Sequence, residues 1–291
     1  MRAIIPGVLD ESQYTLPIAD GFKQYPAEAF EFVIGTAEGV DLDAKTVQIS
    51  VGGGEGGEQR TLSYDHLVLA TGTRDADPHM PWKGSGTHEQ VCAALTGVRD
   101  KLAAPSTKHV VVAGAGATGV EVAAELGYEY GNSSGDKAKT IILLSAGNEL
   151  LGGDGLAGNA RAELRKLGVE VRTGARIVGS EEVPGEGDAA TKTEVRLEGG
   201  DKILTDLYLP TMGVVPNTEY LPAALLTEAR FVDVDERFAV KGAKDVWAAG
   251  DIVWKPRGSF VLADMQVSFF FSCCFGSLNS YPPFISFTST R

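Results

Sequence analysis

Three features of this 291-residue chain predict an α/β fold built on a doubly wound parallel sheet. The first is His109–Ala113, an apolar, β-branched run that stops at glycines and opens into Val120, Val122, Ala123, Ala124 and Leu126. That is the pattern of strand, tight turn and helix. The second is the alternation of further apolar runs with helical segments, which favours parallel strands joined by crossovers. The third is that three other runs end on small residues: Ala70-Thr71-Gly72, Thr211-Met212-Gly213 and Ala249-Gly250-Asp251. Small residues at the carboxyl ends of parallel strands leave room for a ligand above the sheet.

Residues 1–30 carry Pro6, Pro17 and Pro26 and are expected to be irregular. Residues 30–35 read as a strand, residues 40–49 as one hairpin arm and residues 59–62 as the next, with the glycine-rich 52–57 between them. The apolar run in 64–73 predicts a buried strand. Val91, Ala94, Leu95, Val98 and Leu102 predict a helix over 86–104. After the unit at 109–130 and a polar loop at 131–139, residues 140–144 predict a second strand. Residues 160–167 predict a basic amphipathic helix closed by Gly168, and 169–171 a short parallel strand. Residues 193–197 and 202–209 read as an antiparallel pair. The runs 207–213 and 245–251 end the last two strands.

Composition narrows the function. A net charge of −13 argues against general affinity for nucleic acid or an anionic membrane. The three cysteines, Cys92, Cys273 and Cys274, form no C-x-x-C pair, so neither a dithiol redox centre nor a metal site of that kind is visible. His66, His79, His88 and His109 form no ligand spacing. No signal or transit peptide is evident at the start.

Gly114, Gly116 and Gly119 have the G-x-G-x-x-G spacing of a dinucleotide-binding turn. Gly114 permits the turn, Gly116 lets backbone approach the pyrophosphate, and Gly119 lets helix pack on strand. The helix start then offers N–H groups and a positive dipole end to phosphates. Asp251, after Gly250, has the chemistry to accept hydrogen bonds from a polyol. Each of the other small-residue endings, taken alone, reads first as a plain turn.

Taken in order, "YDHLVLATGT", "VVVAGAGATGVEVAAELG", "RAELRKLGVEV", "TMGVVPNT", "VWAAGD" and "GSFVLADMQ" resemble the FAD-dependent pyridine nucleotide-disulfide oxidoreductases, over residues 2–266. The apoptosis-inducing-factor-like and ferroptosis-suppressor-like members are nearest, with type II NADH dehydrogenases next. The resemblance implies a Rossmann-like NAD(P) domain inserted into an FAD domain. It implies hydride transfer from NAD(P)H to FAD, with electrons passed to a small-molecule acceptor such as a quinone. By position, Gly114, Gly116, Thr118, Gly119, Ser145 and Gly213 would hold the nicotinamide dinucleotide. Glu121 would lie near the nicotinamide, although it reads equally as a solvent-facing helix residue. Thr71 and Gly72 would lie beside FAD. Gly250 and Asp251 would meet its ribityl chain, and Leu262 and Ala263 would approach the flavin ring. Ala263 and Gln266 echo an A-x-x-Q element on the quinone side. The implied division is a partial FAD-binding segment at 1–85, an NAD(P) domain at 86–220, a second FAD segment at 221–266 and a tail at 267–291.

Three departures from the family pattern shape the expectations. Ser145 stands where an acidic residue would bind the adenosine ribose of NAD, and no arginine is adjacent, so NADH and NADPH both stay open; Glu149 is the nearest carboxylate. No glycine turn for the FAD phosphates precedes residue 114, so the FAD domain is expected to be incomplete. From Val267 the chain has no helical or strand period, and half of its twelve Phe and two of its three Cys lie in these last residues. A mis-spliced or read-through tail is expected there, and sequencing the transcript across codon 266 checks it. Two further readings stand beside the flavoenzyme: an inactive NAD(P)-binding remnant unable to hold FAD, and a flavin-free dehydrogenase. A cytoplasmic location is expected, with membrane or mitochondrial association open. Oligomeric state is not legible.

Overall fold

The computed structural model describes residues 1–52, 57–84, 86–185, 191–254, 263, 265, 266 and 284–286. In chain order they form β1 (Phe30–Phe32), β2 (Gly35–Asp41), β3 (Thr46–Val51), β4 (Glu58–Ser63), β5 (Leu67–Leu69) and β6 (Thr73–Asp75). Next come α1 (His88–Ala103), β7 (His109–Ala113), α2 (Ala117–Leu126), β8 (Thr140–Leu144), α3 (Ala157–Lys166) and β9 (Val169–Arg172). β10 (Ile177–Val183), β11 (Lys192–Leu197), β12 (Lys202–Thr205), β13 (Leu207–Pro210), β14 (Val214–Pro216), β15 (Val246–Ala248) and β16 (Phe284–Ser286) complete the series. The chain divides into one unit of Met1–Thr15, Asp75–Gly84 and His88–Gly213, and a second of Leu16–Arg74, Ser85–Thr87 and Val214–Arg291.

The first unit is built on a parallel sheet of order β13-β7-β8-β9. β7 and β8 are buried on both faces, which is why both read as unbroken apolar runs rather than alternating ones. Alternate residues still divide between two cores. Val110, Val112, Ile141 and Leu143 join Leu102 of α1 and Val122 and Leu126 of α2. Val111, Ile142 and Leu144 pack on the other side with Val195 and Ile203 of the antiparallel sheet β10-β11-β12. The expected antiparallel pair is therefore three strands. β10 escapes a hydrophobic-pattern reading because its residues are mostly exposed.

Residues 1–15, which carry Pro6, form only short 3-10 turns but are firmly packed. Ile4 and Ile5 are each only 2% exposed and pack with Leu95, Val98 and Leu102. Arg99 fastens the same segment to α1, its guanidinium donating to the carbonyls of Ala3 (2.6 Å) and Leu9 (3.2 Å).

The second unit holds the antiparallel sheet β2-β3-β4 and the parallel pair β15-β5. The stretch 40–49, expected as one arm, is instead the end of β2, a turn and the start of β3. Asp41 causes the break: its Oδ1 accepts from the N–H groups of Asp43 (3.0 Å) and Ala44 (2.8 Å), and Lys45 closes the turn in the left-handed region at φ 51°. Lys45 then pairs with Asp245 at 2.6 Å. Ile49, Leu69, Val232, Ala248 and Ile252 lie in this unit's core. β16, within the C-terminal stretch, pairs in parallel with β1.

His109, at the start of β7, carries a pH-dependent term. Its Nδ1 is buried with no hydrogen-bond partner among the described residues, and burial pushes the imidazole below its ordinary value of 6.5 despite the opposing pull of Asp206. The folded state then binds fewer protons than the unfolded state. Stability is lost as pH falls below 6.5 towards the folded value. Urea unfolding at pH 7 and pH 5 is expected to show a larger acid-side loss in the parent than in His109→Gln. One such group contributes a slope of at most about 1.4 kcal/mol per pH unit.

Candidate functional site

Sheet order places the glycine turn. From β7 the chain steps to β8 and β9 on one side, whereas β13 returns to the other, so β7 and β13 flank the point where the winding reverses. Ligands of open α/β sheets bind outside the carboxyl ends of strands at such a point. Gly114–Gly119 follows β7 and Thr211–Gly213 follows β13, so the two motifs meet there. Thr211 joins them: its N–H donates to the Ala113 carbonyl at 2.8 Å, and its hydroxyl lies 2.9 Å from that oxygen and 3.1 Å from the Gly114 oxygen.

The three glycines differ in what surrounds them. Gly114 has φ +103°, a backbone conformation that suits glycine. A Cβ on Gly119 would run into the Gly114 carbonyl oxygen and come within 2.7 Å of Thr211 Oγ1. Gly116 has nothing within 4 Å of its Cβ direction and begins α2 with no side-chain capping bond. The first turn of α2 is thus closed on its strand side and open at its tip, the cradle a pyrophosphate needs. Thr118 is half-buried in that turn and Glu121 is exposed on the next. Gly213 sits at φ +80° with its carbonyl bonded to Ala76 N–H at 2.7 Å.

Ser145 does not face outward. It is 4% exposed, and its hydroxyl donates to the Glu149 carbonyl at 3.1 Å. The exposed polar side chains of this loop are Asn148 and Glu149. No arginine is adjacent in sequence, yet the fold brings one there: Arg161 of α3 reaches the Asn148 carbonyl at 3.3 Å and the Glu149 carboxylate at 3.8 Å.

In the second unit the pairing of β5 with β15 aligns Leu69 with Ala248. Thr71-Gly72 and Gly250-Asp251 consequently emerge at the same end of one parallel pair, with Ala249 N–H bonded to the Leu69 carbonyl at 3.0 Å. Gly250 has φ +76° and its N–H donates to Gln266 Oε1 at 2.8 Å. Gln266 is 3% exposed, and its Nε2 is buried with no partner among the described residues. Ala263 is half-buried, whereas Leu262 lies outside the described residues.

Sequence reasoning missed the residue that holds Thr71-Gly72 in place. Asn217 Nδ2 donates to the Thr71 carbonyl at 2.8 Å, and Asn217 N–H donates to the Gly72 carbonyl at 3.0 Å. Its Oδ1 accepts from Arg74 at 2.8 Å, and the Thr71 hydroxyl donates to the Asn217 carbonyl at 2.8 Å. Tyr220 lies 3.2 Å from that hydroxyl, and burial pushes its phenol up to about 12. The signal was Pro216-Asn217-Thr218 directly after a strand, a turn sequence whose Asn readily bonds nearby backbone.

Comparison with known proteins agrees with this architecture. Residues 5–268 match the family described as pyridine nucleotide-disulphide oxidoreductase. The oxidoreductase ptaL of Pestalotiopsis fici is 39% identical over 267 residues, covering 91% of this chain and 67% of that protein. Ferroptosis suppressor protein 1 of Homo sapiens is 27% identical, with 82% of this chain and 58% of that protein covered. A crystal structure of a pyridine nucleotide-disulfide family oxidoreductase from Enterococcus faecalis V583 superposes with a TM-score of 0.60 at 17% identity. It covers 85% of this chain and 56% of its own. The chain thus spans between about half and two thirds of the proteins it matches. On the family match and the similarity to ptaL, the chain belongs to the pyridine nucleotide-disulphide oxidoreductases.

Proposed function

We propose that this chain provides the NAD(P)H-binding and flavin-binding surfaces of an FAD-dependent NAD(P)H oxidoreductase. The observation that carries the flavin reading is the β5–β15 pairing, which gathers Thr71, Gly72, Gly250 and Asp251 at one end of a parallel pair. A flavin-free dehydrogenase has no use for that second gathering of strand-end loops. Gln266 adds to it, since a buried Nε2 with no partner among the described residues suits a bound acceptor atom. In this reading the first unit is the NAD(P) module. Gly114 and Gly119 shape its turn, Gly116 and the α2 N-terminus meet the pyrophosphate, Thr118, Glu121 and Gly213 line it, and Ser145 holds the adjoining loop through the Glu149 carbonyl. The second unit is the FAD module, with Ala263 towards the flavin.

When bound, FAD supplies the two-electron chemistry, so protein side chains serve to bind, orient and exclude water. Arg161 beside Glu149 gives the adenosine end a cation as well as a carboxylate, which fits NADPH as well as NADH. The acceptor we propose is a quinone-like small molecule, on the Ala263-x-x-Gln266 spacing.

One observation favours the alternative, an NAD(P)-binding chain without flavin: the Gly250 N–H is already bonded to Gln266. A single experiment separates the two. Purified protein is incubated with FAD, desalted, and its visible spectrum recorded before and after anaerobic NADPH or NADH. Retained flavin bands that bleach are expected, and the nucleotide that bleaches them faster gives the preference. A colourless protein that still quenches NAD(P)H fluorescence would establish the alternative.

No helix among the described residues is long and apolar enough to cross a membrane.

A further inference from the structure

Sequence spacing leaves His88 and Cys92 unconnected to any third ligand, but the fold supplies one. The two residues are one turn apart on α1 and so share a face. Glu11, on a single 3-10 turn of the N-terminal segment, lies against them. One ligand atom from each, a carboxylate oxygen, an imidazole nitrogen and the thiol sulfur, lie within 4.8 Å of one another. His88 Nε2 is 3.3 Å from Glu11 Oε1 and 3.6 Å from Cys92 Sγ.

Those two distances match the edges of a zinc tetrahedron. Bonds of about 2.0 Å to nitrogen and oxygen and about 2.3 Å to sulfur give edges of about 3.3 Å for N···O and about 3.6 Å for N···S. We propose that Glu11, His88 and Cys92 form a binding site for a zinc-class divalent cation, with the fourth position open to water. The mixed N, O and S donor set suits a borderline-soft cation and not calcium or magnesium, which take oxygen. Exposure of Glu11 and His88 keeps the fourth position accessible.

The site is preorganised by contacts outside it. Arg99 ties the N-terminal segment to α1 through the Ala3 and Leu9 carbonyls and lies 3.2 Å from the Tyr14 hydroxyl. Ile4 and Ile5 are buried against the same helix. Glu11 is therefore held near His88 without a cation, so binding does not have to order the segment first. A bound cation would act as a clamp between the segment and α1.

Cobalt(II) is the probe, because a thiolate ligand gives it a charge-transfer band that oxygen and nitrogen ligands do not. The full chain is expected to bind one equivalent with that band and to release it to zinc. Zinc is also expected to slow alkylation of Cys92 and to raise the melting temperature. Cys92→Ser should abolish the band. Glu11→Gln and His88→Gln should each weaken binding by at least about tenfold, the smaller end of the loss seen even for outer-shell partners. Both positions are exposed, so unchanged melting of the metal-free variants would show that a ligand was lost and not the fold. Cys273→Ser with Cys274→Ser should retain the band. Absence of the band, its survival in Cys92→Ser, its loss only with Cys273 and Cys274, or parental affinity in both Gln variants would overturn the proposal.

Discussion

Replacing Gly119 with alanine is expected to cost about 3 kcal/mol of folding stability, the upper end for an overpacked site. The new methyl would collide with the Gly114 carbonyl oxygen and lie 2.9 Å from the Gly114 carbonyl carbon, which is backbone and has no rotamer to change. Relief requires α2 to move off β7. That would open the core around Val122 and Leu126, both fully buried. Gly116→Ala is the informative contrast. Its methyl meets no protein atom within 4 Å, and Gly116 does not have the positive φ that would strain alanine. Urea unfolding of Gly116→Ala should lie within about 1 kcal/mol of the parent, since only the cap position changes. NADPH titration by fluorescence should nevertheless weaken by at least about tenfold, because the methyl occupies space the pyrophosphate needs; that loss corresponds to about 1.4 kcal/mol. Parental affinity in Gly116→Ala would place the dinucleotide elsewhere.

That contrast shows which parts of the molecule the sequence made legible. The glycine turn could be read because each glycine answers a local steric demand that spacing alone reports, and because β7 and β8, covered on both faces, leave an unbroken apolar signal. Thr211-Met212-Gly213 and Thr71-Gly72 were legible as strand endings. What joins each to its partner was not, because the Thr211 bond to the Gly114 carbonyl and the β5–β15 register depend on sheet order. The turn that splits residues 40–49 was hidden because Asp41 acts through a local side-chain bond while the hydrophobic alternation runs on across it. Ser145 illustrates the opposite case. Its place after β8 follows from the apolar run, but its orientation does not, since burial and the Glu149 carbonyl turn the hydroxyl inward. Arg161 reaches that loop only because α3 packs back along the sheet, and no interval in the sequence measures that distance. The same holds for Glu11, which meets His88 and Cys92 through the docking of the N-terminal segment on α1.

Asn217→Ala is expected to destabilise the second unit by about 2–3 kcal/mol, because two side-chain hydrogen bonds are lost, one of them to a charged guanidinium. The Thr71 carbonyl loses its donor, and Arg74 is left with the Glu219 carboxylate, 2.6 Å away. The consequence for the proposed flavin site is larger than the stability change suggests. Thr71 and Gly72 have no regular strand pairing of their own beyond β5. Their path is set by the Asn217 side chain on the Thr71 carbonyl, the Asn217 N–H on the Gly72 carbonyl, and the Thr71 hydroxyl on the Asn217 carbonyl. Removing the first frees the peptide that would lie beside the flavin. Asn217→Asp separates positioning from simple loss of packing. It preserves size and keeps an acceptor for Arg74, but sets a carboxylate oxygen against the Thr71 carbonyl in place of an N–H. If the donor is what positions Thr71-Gly72, both variants should lose flavin on desalting while NADPH binding in the first unit stays parental. If Asn217→Asp retains flavin as the parent does, the Arg74 bond is the important one and the Thr71 carbonyl needs no donor. Flavin absorbance per chain after desalting, measured beside NADPH titration of the same samples, decides between these outcomes.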